Sequence, residues 1–389
     1  MEKSYKDKKI ILVGGHLTPA LAVHQELINQ GFNNITWVGT KYAQTHNRNH
    51  SIEYDIVRRN GIKFVNLRAG KLWRKLTIKT IIYGLQNLFL IPFGFVHSFL
   101  IILKYKPSIV VSFGGHLALP MIICAKLLFV STMTHEQTIV TGLTNKIISK
   151  FSDVVCISWK NSKKYFDKRK TVLTGLPINN AIFSTNKDKS LFNNSKPVLF
   201  VVGGNQGSNT INWRLLVILE ELLKEFNIIH LTGNSTITKD FEKALEAKAK
   251  LNENLTESYM VMQNTDFQNY SKFLASADIV LCRSGANTVS EILAKGKLSI
   301  LIPIPWSSNH EQLRNAQMLE ENGLGLIIEQ HDNLKPETIL EKIMLAKQKL
   351  QSNQSFKNES IETAIRKSRS KVNENASANI VAEISTLLN

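Results

Sequence analysis

Cysteine is scarce in this sequence: Cys124, Cys156 and Cys282 are the three in 389 residues. They are odd in number, dispersed, and without the short spacing of a metal motif. That excludes a disulfide framework and a cysteine-built zinc site, and it predicts reduced structural thiols in a cytosolic compartment. Acidic residues are also short, 31 against 48 lysines and arginines, leaving a net charge of +17. Such an excess favours a polyanionic partner, whether nucleic acid, an anionic membrane face or a phosphorylated substrate. No nucleic-acid recognition motif accompanies the charge, so no nucleic-acid partner is expected. After the charged start, only the four apolar residues Ile10–Val13 precede Gly14-Gly15, too few for the apolar core of a secretory leader. A full GxGxxG is missing, and the run Ile35–Val38 ends in Gly39-Thr40 with no acidic residue to take a ribose. A dinucleotide site on that first turn is therefore weakly supported. No short-period repeat is present.

What is present describes a folded soluble or peripheral protein: 43% of residues are hydrophobic and 20% charged, too apolar for a disordered chain. The length suits two domains. Ile10–Val13 is a continuous apolar run, as expected of a parallel strand buried on both faces. Gly14-Gly15-His16-Leu17-Thr18-Pro19 follows, then a helical pattern through Ala20, Val23, Leu27 and Ile28, so the chain opens with a βαβ unit. Further strands are predicted at 62–67, 107–113, 154–157 and 172–174, with a second glycine turn at Gly114-Gly115-His116. Gly175-Leu176-Pro177 breaks the pattern at a domain junction. The architecture then starts again, with a strand at 197–202, a turn at Gly203–Ser208 and one helix over 209–225. Strands at 228–232, 259–262, 279–281 and 299–302 complete the second half, and the pattern over 381–388 suits a final amphipathic helix. These runs predict two doubly wound, Rossmann-like α/β domains facing across a cleft. The domains are expected at residues 1–176 and 177–369, with a helix of about 370–389 as a candidate to return to the first. Ligands in such folds sit at the carboxyl ends of the strands, where every glycine turn named above lies.

One stretch organises the second half: Cys282-Arg283-Ser284-Gly285-Ala286-Asn287-Thr288-Val289-Ser290-Glu291. A buried strand turns at Gly285 into a helix that Asn287 or Thr288 can cap. A helix N-terminus opening off a strand is an anion site, because its free N–H groups point outward. Glu291 falls one turn in, on the first exposed face, where a carboxylate can accept two hydrogen bonds from a ribose diol. It would serve equally well to favour the helix dipole.

The run 80–103 carries no formal charge between Lys79 and Lys104 and is long enough to span a bilayer. It contains Gln86, Asn87, Pro92 and His97, and it stands where a parallel sheet requires a crossover helix. A bent or paired helix with one face at a membrane surface is the preferred expectation, ahead of a span and beside a pure core helix. The adjoining Lys71, Arg74 and Lys75 would add attraction to anionic lipid.

Taken together, these residues resemble the MurG family of glycosyltransferases. The resemblance rests on Gly14-Gly15-His16 with Pro19–Val23, on His135-Glu136-Gln137 with Gly142-Leu143-Thr144-Asn145, on Gly203–Gly207, on Arg283–Ala286 with Thr288 and Ser290-Glu291, and on Gln312 with Asn315-Ala316. It covers roughly residues 8 to 330. Thr138, Leu176, Asn179 and Asn205 depart from the family pattern, and about half a dozen extra residues stand around Tyr42–His50.

The resemblance implies a GT-B fold with no cofactor and no catalytic metal. It implies inverting transfer of N-acetylglucosamine from UDP-N-acetylglucosamine to the muramyl 4-hydroxyl of an undecaprenyl-pyrophosphoryl muramyl-peptide, the lipid I to lipid II step of peptidoglycan synthesis. The place implied is the cytoplasmic face of the bacterial membrane, bound peripherally to its anionic surface. Alternatives on similar folds are a transferase with another glycolipid acceptor and a UDP-N-acetylglucosamine 2-epimerase. Donor contacts are expected at Asn205, Gln206, Gly207, Phe267, Ser284, Ala286, Glu291 and Gln312, and acceptor contacts at Gly14, Gly15, Thr18, Gly114, Gly115, His116 and Thr138. His16 is the candidate base, since a histidine pKa can lie near 7 and the glycine turn lets substrate come close. Orienting the loop or touching acceptor phosphate are its other readings. Glu136 is the alternative acid–base residue, or else a buried carboxylate that fixes the loop around His135.

Overall fold

A computed structural model describes residues 6–44, 47–70, 81–204, 206–307 and 310–389, with backbone only at 43–44, 47–49 and 81–89. Contacts divide the chain into two units, Met1–Asn179 with Asn373–Asn389, and Asn180–Val372.

The first unit opens with β1 (Ile10–Val13), α1 (Leu17–Asn29) and β2 (Ile35–Gly39). The extra residues then form a hairpin, β3 (Tyr42–Gln44) and β4 (Asn47–His50), leading into α2 (Ile52–Arg59), whose start is capped by the Ser51 side chain. β5 (Lys63–Asn66), α3 (Ile81–Tyr105), β6 (Ile109–Ser112), α4 (Ala118–Leu127) and β7 (Ser131–Glu136) follow. α5 (Leu143–Ile148), β8 (Val154–Ile157) and β9 (Thr171–Leu173) finish the run. The seven strands lie in the order β5-β2-β1-β6-β7-β8-β9, all parallel. β1 is apolar throughout and β6 up to its last residue, Ser112, and both are fully buried, as a sheet covered on both faces requires.

The second unit contains α6 (Ala181–Ser184), β10 (Val198–Val202), α7 (Asn209–Val217), α8 (Leu219–Glu225) and β11 (Asn227–Leu231). It continues with α9 (Asp240–Ala249), α10 (Glu253–Thr256), β12 (Tyr259–Met262), α11 (Phe267–Ser276), β13 (Ile279–Cys282) and α12 (Ala286–Lys295). β14 (Leu298–Leu301), α13 (Glu311–Glu321), β15 (Gly325–Ile327), α14 (Pro336–Gln351) and α15 (Ile361–Arg369) close it. Its six parallel strands run β12-β11-β10-β13-β14-β15.

Past this unit the chain returns to the first. α16 (Ala376–Leu388) buries Ile380, Val381, Ile384 and Leu388 in the same apolar cluster as Val23 and Leu27 of α1. Asn373 and Asn379 fasten the return by donating to the Thr174 carbonyl.

The structure corrects the sequence expectations in several places. β7 and β15 were not anticipated. The single helix expected over 209–225 is two, because the ladder breaks at Ile218. α12 starts at Ala286 with Gly285 as its cap residue and no side-chain cap, so neither Asn287 nor Thr288 plays that part. All three cysteines are free and buried. Among the described residues no helix is long and apolar enough to cross a membrane.

Candidate functional site

Each sheet reverses its strand order once, and the reversal opens a crevice at the carboxyl ends of the two strands involved. In the first unit those strands are β1 and β6. Their loops are Gly14-Gly15-His16 and Gly114-Gly115-His116, which brings the two predicted acceptor turns together. They touch backbone to backbone: a Cβ on Gly15 would fall 2.2 Å from the Gly114 carbonyl oxygen. Gly114 also has a positive φ of 81°. Side chains at these positions would push the turns apart, so glycine is dictated by contact as well as by conformation.

His16 is the residue before α1 and makes no capping bond, which leaves its ring uncommitted. Thr18 lies in the first turn of that helix. His16 keeps some surface at solvent, yet its ring lies against Gly114, and burial lowers its pKa to about 4. This corrects the expectation of a value near 7. At neutral pH the ring is unprotonated and can accept a proton. Asn145 of α5 approaches the same point: a Cβ on Gly114 would lie 3.2 Å from its Oδ1 and 3.4 Å from His16 Cδ2. Glu53, absent from the sequence reading, supports the first turn from beneath. Its carboxylate accepts Trp37 Nε1 at 2.9 Å and the Thr40 amide at 3.3 Å, and a Cβ on Gly14 would strike it at 1.5 Å.

Glu136 ends β7 and is sealed from solvent. Oε1 accepts the Thr138 amide at 2.9 Å and its hydroxyl at 2.7 Å, and Oε2 accepts Gly142 N at 3.2 Å and Asn145 Nδ2 at 3.1 Å. Burial raises its pKa, and these bonds pull against that rise. A carboxyl group so engaged fixes the loop 137–142 and positions Asn145. Thr138 is likewise turned inward, its hydroxyl also reaching the Val140 carbonyl at 2.7 Å. His135 Nε2 meets the Gly175 carbonyl at 3.1 Å, and burial lowers its pKa to about 4.

In the second unit the reversal lies between β10 and β13. Gly203–Ser208 follows the first and Arg283-Ser284-Gly285 the second, so these predicted donor elements also converge. Asn205 lies outside the described residues, and Gln206 is exposed beside it. Gly207 has φ 81° and packs on Thr232 and Gly233 of the next loop. α12 begins at Ala286, presenting unpaired N–H groups at its first turn. The Ser284 hydroxyl is buried without a protein partner, and its carbonyl is held by Asn315 Nδ2 at 3.2 Å. Gln312 Oε1 accepts the Ile304 amide at 3.0 Å.

Arg283, quoted in the motif but given no role there, ties the two turns together. Its Nε donates to Ser208 Oγ at 3.0 Å and its Nη1 to the Ile302 carbonyl at 2.8 Å. The residue is 8% exposed, and burial lowers its pKa to about 10, which leaves it cationic at neutral pH. Among the described residues no carboxylate lies within salt-bridge distance of it, so a buried positive charge faces the turn unneutralised.

Glu291 is not on an exposed face: it is 4% exposed. The helix turns it under α11, where Tyr270 donates its hydroxyl to Oε2 at 2.8 Å. Burial raises its pKa to about 7, and the tyrosine bond opposes the rise. Phe267 begins α11, its ring centre 6.0 Å from that of Tyr270.

Comparison with known proteins places this geometry. The model of the glycosyltransferase family 28 N-terminal domain matches residues 13–157, and that of the C-terminal domain matches 198–375. A curated UDP-N-acetylglucosamine–N-acetylmuramyl-(pentapeptide) pyrophosphoryl-undecaprenol N-acetylglucosamine transferase of Clostridium tetani is 34% identical, over 90% of this chain and 95% of its own. The protein of that name from Clostridium perfringens (strain SM101) is 33% identical, over 87% and 90%. Among solved structures, MurG of Acinetobacter baumannii shares the fold at TM-score 0.65 and 24% identity, covering 97% of this chain and 99% of its own. A UDP-GlcNAc 2-epimerase of Neisseria meningitidis shares it more distantly, at TM-score 0.59 and 12% identity over 98% and 100%.

Proposed function

Because the chain belongs to the MurG family, within glycosyltransferase family 28, we propose that it moves N-acetylglucosamine from UDP-N-acetylglucosamine to the muramyl 4-hydroxyl of an undecaprenyl-pyrophosphoryl muramyl-peptide in peptidoglycan synthesis. The observation that carries this reading is a pair of glycine turns at the switch point of each sheet. Two such cradles suit a reaction in which each substrate carries a diphosphate.

The second unit takes the nucleotide sugar. Glu291 accepts the ribose hydroxyls, the backbone at Phe267 meets the uracil, and Gln312 meets the sugar. Gln206, Gly207, Ser284 and Ala286 surround the diphosphate, the last two through backbone N–H groups. The first unit takes the acceptor diphosphate on Gly14, Gly15, Thr18, Gly114, Gly115 and His116. His16 removes the proton of the attacking hydroxyl as its oxygen bonds to the anomeric carbon. The bond to UDP breaks on the opposite face, and its electron pair leaves on the β-phosphate. The α12 N-terminus and the unneutralised Arg283 offset the charge that appears there. Glu136 acts as a positioning residue, since both its oxygens are engaged. The test is to incubate the purified chain with UDP-N-acetylglucosamine, with and without lipid-linked muramyl-peptide. UDP release that requires the lipid is expected, whereas epimer formation without lipid would overturn the reading.

The acceptor's lipid tail keeps it in the bilayer, so the enzyme binds at the headgroup level of the cytoplasmic face. α3 offers the means: Phe93, Val96, Leu100 and Leu103 form one exposed apolar stripe, with Val96 58% and Leu100 57% exposed. The neighbouring Lys71, Arg74 and Lys75 lie outside the described residues. Sedimentation with anionic vesicles is expected to show binding that salt weakens, each basic residue near the surface adding about 1 kcal/mol. Val96→Asp with Leu100→Asp is expected to reduce binding about tenfold or more without unfolding the chain, as both side chains already face water. Binding that survives high salt and alkaline carbonate, or no binding at all, contradicts this arrangement.

A further inference from the structure

Glu291 raises a question that the ribose contact alone does not answer. A buried carboxyl group prefers to stay neutral, and a neutral carboxyl accepts two hydroxyl protons poorly. Something must hold it ionised and aimed. Oε2 accepts the Tyr270 hydroxyl at 2.8 Å, while Oε1 has no hydrogen-bond partner among the described residues. Tyr270 is itself fixed. Its ring stands edge-on to Phe200 of β10 at 5.7 Å and beside Phe267 at 6.0 Å. Held between these rings, the phenol directs its proton at the carboxylate.

We propose that Tyr270 is a positioning residue of the donor site, occupying one oxygen of Glu291 so that the other meets the ribose and the group binds as a carboxylate. The proposal rests on the reading of Glu291 as the ribose contact. The titratable groups facing Glu291 are Tyr270 on α11 and the Cys282 thiol on β13, and Arg283 acts on that thiol in turn. Burial and the Tyr270 bond are what move Glu291, and no charge on α6, α13 or α15 contributes.

The sign follows directly. Glu291 titrates at about 7 in the empty site, so affinity for the nucleotide sugar rises as pH climbs through that value and the carboxylate forms. A hydrogen bond to the charged form lowers a pKa, so removing it moves the midpoint upward, by about one unit for a charge-assisted bond.

The experiment is calorimetric titration with UDP-N-acetylglucosamine from pH 5.5 to 8.5, on the intact chain and on Tyr270→Phe. At pH 7 the variant is expected to bind roughly fivefold more weakly, the deficit closing toward pH 8.5 as its carboxyl ionises. A midpoint that does not move overturns the proposal, including the case of a uniform loss at every pH, which a merely structural tyrosine would give. Glu291→Gln is expected to abolish the pH dependence. If it keeps the wild-type midpoint, or if the wild type fails to bind the nucleotide sugar at any pH, the underlying reading of the site fails instead.

Discussion

Replacing His16 with alanine is expected to lower the turnover number by on the order of a hundredfold or more, the usual cost of losing a general base. UDP affinity should change by less than about twofold, since the nucleotide contacts are read in the other unit. The fold should tolerate the change. His16 makes no capping bond, and losing its partly buried ring should cost no more than the about 0.5–3 kcal/mol usual for a point change. Steady-state rates at saturating substrates, set beside calorimetric titration with UDP, make the comparison. A variant that keeps most of its turnover would remove His16 from the role. The pH profile adds a second check. A base must be unprotonated, and burial holds this ring near 4 in the empty site. The acid limb of turnover that belongs to His16 should therefore fall below pH 5, not near 6.5. An acceptor diphosphate bound beside the ring would draw that limb upward, by favouring the imidazolium.

Gly207→Ala should be the most damaging single-methyl change in the second unit. The residue has φ 81°, and the added Cβ would lie 1.9 Å from the Thr232 carbonyl oxygen. Gly233 returns the constraint, its own Cβ falling 2.1 Å from Gly207 N. The left-handed backbone costs about 1–2 kcal/mol for a non-glycine residue, and moving the facing backbone about 1–3 kcal/mol more. A total of about 2–5 kcal/mol should lower the melting temperature by roughly 2–4 °C per kcal/mol for a unit of this size. UDP affinity should fall at least about tenfold as the turn opens. Gly204→Ala is the control. Its φ is 87°, but a Cβ there meets nothing within 4 Å, so it carries strain without collision. If the two variants melt and bind alike, the contact between Gly207 and Thr232 does not shape the site.

Most of the framework was legible because its strands are apolar. Ile10–Val13 and Val198–Val202 announce themselves as buried on both faces, and the glycines after them mark the turns. β7 was hidden for the opposite reason. Ser131-Thr132-Met133-Thr134-His135-Glu136 is mostly polar, yet it is the fifth of the seven strands and almost wholly buried. Two of its polar groups find partners far away in sequence, Thr132 in Asp153 and His135 Nε2 in Gly175, which no hydrophobic periodicity can reveal. Glu291 was misplaced by a similar limit. Helical spacing shows that it lies one turn in, but which side α11 covers is a tertiary fact. Tyr270 and the unneutralised Arg283 were out of reach on the same ground, since each acquires its meaning from a partner on another element.

The return of α16 to the first unit has a consequence for synthesis. Ile380, Val381, Ile384 and Leu388 fill a groove against α1, so a core begun by the first residues is finished by some of the last. While a ribosome is still making the second unit, that groove stays open, lined by apolar side chains with nothing to cover them. Domains generally complete themselves as they emerge, N-terminal first. Here the order is inverted: the second unit, continuous in sequence, can close while the first still waits. The nascent chain thus spends the time needed to translate 180–372 as an unfinished sheet with an exposed apolar flank, and chaperone demand should be concentrated in that interval.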